Sequence, residues 1–277
     1  MPIRSSVTIS LVTEARGGPF VFWDDLPCAL KKAKSLGFDA VEIFPPSPDS
    51  VDIEHVRTLL SDNGLTLAAM GTGAGWLRGR LHLCLPEAAH RAQAREFIRA
   101  MIDVAGALEA PAIIGSMQGK HGDGVDKSTA LGYLSESLED LGEHASRWRV
   151  PLIYEPLNRY ETNLVNTIEV GVALLRELTT KNVKLLADIF HMNIEERDIA
   201  EAIRAGTGQI GHVHLVDSNR RPAGSGHIDF MPIARALQAI GYEGYVSAEA
   251  LPYPDSDNAA KATIMAFHRY FFNTSQP

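Results

Sequence analysis

Eight short apolar or β-branched runs, each ending near a Gly, Pro, Asp or Glu and each followed by a longer stretch of helical periodicity, constrain this chain more than any other feature. The strand candidates are residues 7–12, 40–44, 65–70, 112–114, 152–155, 183–188, 210–216 and 245–249. Helical periodicity runs through 26–36, 53–63, 87–108, 129–149, 170–178, 199–205, 232–240 and 259–272. Gly37, Gly64, Gly206 and Gly241 stand just past helix ends, where a left-handed residue closes the last turn. Strict alternation predicts parallel strands joined by right-handed crossovers. Eight such units in 277 residues predict a closed (β/α)8 TIM barrel in preference to an open doubly wound sheet. No Pro-, Ser- or Gly-rich linker divides the chain, so residues 1–277 are expected to form one domain.

Composition narrows the classes of function. Lys and Arg number 26 against 34 Asp and Glu, and the resulting net charge of −8 has the wrong sign for a general binder of nucleic acid or anionic membranes. No window approaches the roughly 18 unbroken apolar residues of a membrane helix. The start, Met1 to Ser6, lacks the apolar run and cleavage pattern of a signal peptide, so the cytoplasm is the expected compartment. Two cysteines, Cys28 and Cys84, are too few for a disulfide framework and read as buried, inert thiols.

A barrel places its chemistry at the C-terminal ends of its strands. In the second half of the chain each of those ends offers a cation ligand: Glu155, Asp188, His214 and Glu249. Taken singly, such a Glu or Asp is a helix cap or a solvated loop residue, and a strand His is a hydrogen-bonded core residue. Taken together, three carboxylates at one barrel mouth are costly to bury unless a cation neutralises them. This oxygen-and-nitrogen set suits one divalent ion such as Mn2+, Mg2+ or Co2+ better than a thiolate-seeking metal. His212 lies two residues before His214 on the same strand face, one layer deeper, and reads as a core histidine or a support for the ligands.

Four strings carry a resemblance: EPLNRYE at 155–161, ADIFHMNIEE at 187–196, HVHLVDSNRRPAGSGHIDF at 212–230 and SAEA at 247–250. They resemble the sugar isomerase/epimerase family with the xylose-isomerase-like TIM barrel, and within it the ketose 3-epimerases of the D-tagatose and D-psicose (allulose) type. The resemblance implies that Glu155, Asp188, His214 and Glu249 hold the metal, usually Mn2+ or Mg2+. It also implies that Glu155 and Glu249 form the acid/base pair, and that Glu161, His191 and Arg220 contact the ketose near O1 and O2. The family pattern has Gly and Glu where this chain has Val216 and Asp217. Dimers or tetramers acting on a small-molecule sugar are the implied assembly. The chemistry agrees: a C3 proton beside a C2 ketone is weakly acidic, so its removal calls for a cation at O2 and O3 and for carboxylates on both faces.

The remaining motifs read more plainly. The run Gly71 to Gly75 lacks a following Gly-Lys-Ser/Thr and leads into Trp76 rather than directly into a helix, so it reads as a flexible mouth loop. Trp76, Trp23 or Phe44 is expected to cover the sugar. Asp229 reads as a helix N-cap, His227 as a loop or supporting residue, and Arg221 as a solvated charge. Gly115 to Gly119 lacks the spacing of a nucleophile elbow. The same site chemistry leaves room for a lyase or dehydratase acting on a keto-sugar, keto-inositol or keto-glycoside, and for an aldose-ketose isomerase of the hydroxypyruvate type. An abasic-site endonuclease of the same barrel family is disfavoured, because the third and fourth strand ends carry no histidine.

Overall fold

A computed structural model describes residues 3–23 and 25–272. Eight strands, β1 (Arg4–Ser10), β2 (Ala40–Phe44), β3 (Thr66–Gly71), β4 (Ala112–Ile114), β5 (Leu152–Tyr154), β6 (Val183–Asp188), β7 (Ile210–His214) and β8 (Tyr245–Ala248), pair in parallel in chain order. The sheet closes where β1 meets β8, with Ser6 opposite Ser247. The single (β/α)8 barrel expected from the alternation is therefore the fold.

Alternation along each strand sorts the side chains into two sets. Val7, Ile9, Val41, Ile43, Leu185, Val213 and Val246 face outward and join the large core packed beneath the helices. Ala69, Ile113, Ile153 and Leu186 form a separate, fully enclosed cluster. Register slips by one residue between Val41 and Glu42 and again between Leu185 and Leu186. Such irregularities re-aim side chains at a barrel rim.

The helices are α1 (Leu26–Leu36), α2 (Ile53–Asn63), α3 (Ala74–Gly79), α4 (Ala88–Ala107), α5 (Lys127–Ser146), α6 (Ile168–Glu177), α7 (Ile189–Glu195), α8 (Ile199–Ala205), α9 (Phe230–Ala239) and α10 (Ser256–Phe267). Aspartate starts most of them. Asp25, Asp52, Asp126, Asp198, Asp229 and Asp255 each accept a backbone N–H from the first turn, which satisfies a donor that the helix itself leaves unpaired.

Several sequence expectations shift. β1 begins at Arg4 rather than residue 7, its start tied down where Ser5 is bound to Asp39 through both its amide and its hydroxyl, and it ends at Ser10. The glycine run after β3 does lead into a helix, the six-residue α3. Gly37, Gly64 and Gly241 have positive φ, but Gly206 does not; Gly208, at φ 76°, makes that turn instead. Cys84 is buried and its thiol pKa is pushed up to about 12 by burial, whereas Cys28 is only half-buried. No helix is long and apolar enough to cross a membrane among the described residues.

Candidate active site

The C-terminal ends of the strands surround a cavity of about 370 Å3 whose floor is polar and whose upper wall is aromatic. Asp188, the last residue of β6, is fixed by the start of α7: its Oδ1 accepts the backbone N–H groups of Phe190 at 2.7 Å and His191 at 3.1 Å. That leaves Oδ2 to face His214, 3.2 Å from its Nδ1. Glu155, one residue past β5, places Oε1 at 3.9 Å from the same His214 nitrogen. Single donor atoms of Asp188, His214 and Glu249 all lie within 4.8 Å of one another, as do those of Glu155, Asp188 and His191. The four residues expected to ligate a metal thus converge, and His191 joins them.

Glu155 is pinned from behind. Gln118, fully buried, donates to the Glu155 carbonyl at 2.9 Å while its own side-chain oxygen accepts from the Tyr154 hydroxyl at 2.7 Å. Gly115 gives its carboxylate room, since a Cβ there would stand 2.5 Å from Glu155 Oε2. On the far side, Arg220 donates to Glu249 Oε2 at 2.8 Å and to Glu161 Oε1 at 3.2 Å, with its guanidinium 4.6 Å above the Phe190 ring. Arg220 adopts a left-handed φ of 56°, and Asp217 organises the turn that contains it by accepting backbone N–H groups from Ser218, Gly224 and Ile228.

Glu42 of β2 escaped the strand-end reading. It is buried at the centre of the barrel, where its carboxylate receives His212 Nε2 at 2.8 Å and His214 Nε2 at 3.2 Å. A lone charged residue inside the apolar run Ala40 to Phe44 was the available signal. Glu42 at Nε2 and Asp188 Oδ2 at Nδ1 can only accept, so with no cation present a doubly protonated His214 donates to both. A neutral ring with its proton on Nε2 would turn the Nδ1 lone pair toward Asp188 Oδ2 and Glu155 Oε1, where a divalent cation would be shared by all three atoms.

The electrostatics follow. Burial raises the Glu155 carboxyl well above the usual range, with the neighbouring Glu249 charge adding to the effect. Burial raises Glu249 as well, against the opposing pull of Arg220 and His214. Burial also works against the charged forms of Asp188 and Glu42, yet the histidines around them hold both carboxyls well below the usual range. Burial alone would lower His214, and the surrounding Glu42, Asp188 and Glu249 carboxylates override it and push the imidazole up. This donor set of three carboxylates and one imidazole, crowded and electron-rich, fits a divalent cation.

The other sequence-nominated residues divide. Glu161, His191 and Arg220 line the cavity, as do Phe44 and Trp76. Trp23 does not line it; its ring packs edge-on against Phe20 at 5.5 Å. Asp229 caps α9, two residues earlier than the periodicity placed the helix. His227 bonds to Ser218 Oγ at 2.9 Å, and Arg221 is stacked 3.5 Å over Tyr253 rather than free in solvent.

Residues 30–269 match the family described as xylose isomerase-like TIM barrel. The chain belongs to that family. An L-ribulose 3-epimerase of Mesorhizobium japonicum is 33% identical over 250 residues, covering 87% of this chain and 81% of its own length. A D-psicose 3-epimerase of Agrobacterium fabrum is 30% identical over 242 residues, covering 85% and 79%. The solved structure of D-psicose 3-epimerase with D-tagatose from Clostridium cellulolyticum H10 superposes with a TM-score of 0.81 at 25% identity, over 97% of this chain and 99% of that one.

Proposed function

We propose that this member of the family is an isomerase that inverts C3 of a ketose or keto-sugar acid, with Glu155 and Glu249 as its acid/base pair. The observation that carries the reading is the pair of carboxyls, Glu155 buried and Glu249 half-buried, both raised by desolvation, that flank Asp188 and His214 in the ring of strand ends. The epimerases among its relatives favour inversion over elimination of water or of an aglycone.

Epimerisation needs a proton taken from one face of C3 and another returned to the opposite face. β5 and β8 lie on either side of β6 and β7, so Glu155 and Glu249 approach a sugar in the cavity from different directions. A carboxyl whose pKa is raised toward neutrality both accepts and returns a proton with little loss of driving force. Each glutamate thus serves as base for one epimer and as acid for the other. Arg220 steadies Glu249 and Glu161, and with His191 it supplies donors to the oxygens near C1 and C2. Phe44 and Trp76 cover the sugar and exclude water.

Glu155, Asp188, His214 and Glu249 would hold one divalent ion, with Mn2+ as the proposed occupant and Mg2+ or Co2+ as substitutes, and Glu42 would orient His214 from behind. Such an ion supplies Lewis-acid polarisation of the ketone and offsets the negative charge that develops on it. The same reading takes residues 1–277 as one domain acting in the cytoplasm as a dimer or tetramer, which sedimentation would measure.

The test is incubation of the metal-loaded protein with a panel of ketoses and keto-acids in D2O, followed by NMR. Deuterium at C3 together with the C3 epimer is the expected result. Loss of water or of an aglycone without C3 exchange would replace the epimerase with a lyase.

A further inference from the structure

His191 is fully enclosed, and its two ring nitrogens have opposite surroundings. Nδ1 lies 2.7 Å from Asn158 Nδ2 and 3.3 Å from the Asn158 backbone nitrogen. The backbone N–H can only donate. The orientation of the Asn158 amide is fixed independently at both ends: the Tyr160 backbone N–H donates to Oδ1 at 2.9 Å, and Nδ2 faces Glu161 Oε1, a carboxylate oxygen that can only accept, at 3.1 Å. Nδ1 therefore meets two donors and must present its lone pair to them. The ring proton is left on Nε2, which is buried, has no partner, and lies at the cavity 3.8 Å from Glu155 Oε1 and 4.0 Å from Asp188 Oδ2.

We propose that Asn158 is a positioning residue that locks His191 in the Nε2–H tautomer, so that His191 meets the substrate as a neutral hydrogen-bond donor and not as a base. A buried donor aimed into a cavity is satisfied by a ligand oxygen. In the epimerase reading, on which this last step rests, that oxygen is the ketone oxygen that gains negative charge as C3 loses its proton. The opposite tautomer would present a lone pair to that oxygen and repel it. It would also place a second base beside Glu155, competing for the proton that has to move between the two glutamates. The tautomer assignment itself needs only the contacts of His191 and Asn158.

The experiment is 15N NMR of histidine-labelled protein loaded with Mg2+, which avoids paramagnetic broadening, with the His191 ring assigned by its loss in His191→Gln. A pyridine-type shift at Nδ1 and a pyrrole-type shift at Nε2 are expected; a protonated Nδ1 overturns the proposal outright. Asn158→Asp puts an acceptor where the amide donated, so the proton should move to Nδ1 and kcat should fall about 10²- to 10³-fold with bound metal retained. In Asn158→Ala the side-chain donor is lost and the two tautomers should mix. If neither variant alters the ring shifts, Asn158 is not the lock. Should Asn158→Asp fail to fold, the wild-type and Asn158→Ala spectra still decide. Because the ring shifts are read without substrate, a protein that turns over no ketose can show the expected tautomer, and the two readings fail separately.

Discussion

The two halves of the barrel interior are built on different principles. From β3 to β6 the inward side chains below the strand ends, under Asp188 and Glu155, are Ala69, Ile113, Ile153 and Leu186, a hydrocarbon plug held by shape. From β7 round to β2 the same layers carry His212, His214, Ser247, Ser6, Thr8 and Glu42, all buried and polar. Here hydrogen bonds across the barrel, from His212 and His214 to Glu42, replace packing. The plug tolerates no water and gains from hydrophobic burial, whereas the polar half spends stability to keep donors and acceptors aimed at one point. Stability and chemistry should therefore be separable by mutation, half by half.

The largest effect expected is on chemistry. Glu249→Gln should lower C3 exchange by about 10²- to 10⁴-fold while leaving the melting temperature of the metal-free protein unchanged or higher, since one charge leaves a crowded cluster. Full activity in this variant would remove Glu249 from the mechanism. In the apolar half the reverse is expected: Leu186→Ala should cost about 2–5 kcal/mol in denaturant unfolding and leave the rate per folded molecule nearly intact. If it instead abolished turnover at unchanged stability, the division between the halves would fall.

Smaller effects sharpen the contrast. Glu42→Gln keeps the size of the side chain but weakens the hold on His214, so metal affinity should drop about 10- to 100-fold, read by competition with a chelating dye. The proton count gives the finest test. Glu155 and Glu249 have pKa values raised in the metal-free protein, so below those values each carries a proton that an incoming cation must displace. Binding should release protons, and affinity should rise with pH until both carboxyls are ionised and His214, whose pKa the surrounding carboxylates also raise, is neutral. Calorimetry in buffers of different ionisation enthalpy measures that release; uptake of protons would reverse the assignment.

Much of this was legible in the sequence, for identifiable reasons. The barrel announced itself because eight strand–helix units leave a periodic trace that survives errors of two or three residues at each boundary. Glu155, Asp188, His214 and Glu249 could be found because they stand at strand ends, where a barrel must put its ligands. α3 and α7, which follow closely on β3 and β6 and carry loop and site residues, were not among the helices expected from periodicity. Arg4, Ser5 and Ser6 fell outside the strand expected from residue 7, although they are strand residues whose neighbours on β2 and β8 come from far along the chain. Glu42 and Asn158 could not be assigned partners for the same reason: the contacts that define them span 170 and 33 residues. Local pattern records the backbone period, not which side chain a distant strand will bring across the barrel.

Gly115 shows how narrow a passage this leaves for drift. Every other amino acid carries a Cβ, and at this position that single carbon would overlap the carboxylate of Glu155. The harm thus does not depend on polarity, charge or helix propensity; the mildest replacement, alanine, meets the obstacle in full. Any lineage that changes this residue must turn the Glu155 carboxylate aside from its present aim, so drift at this position is felt at the site.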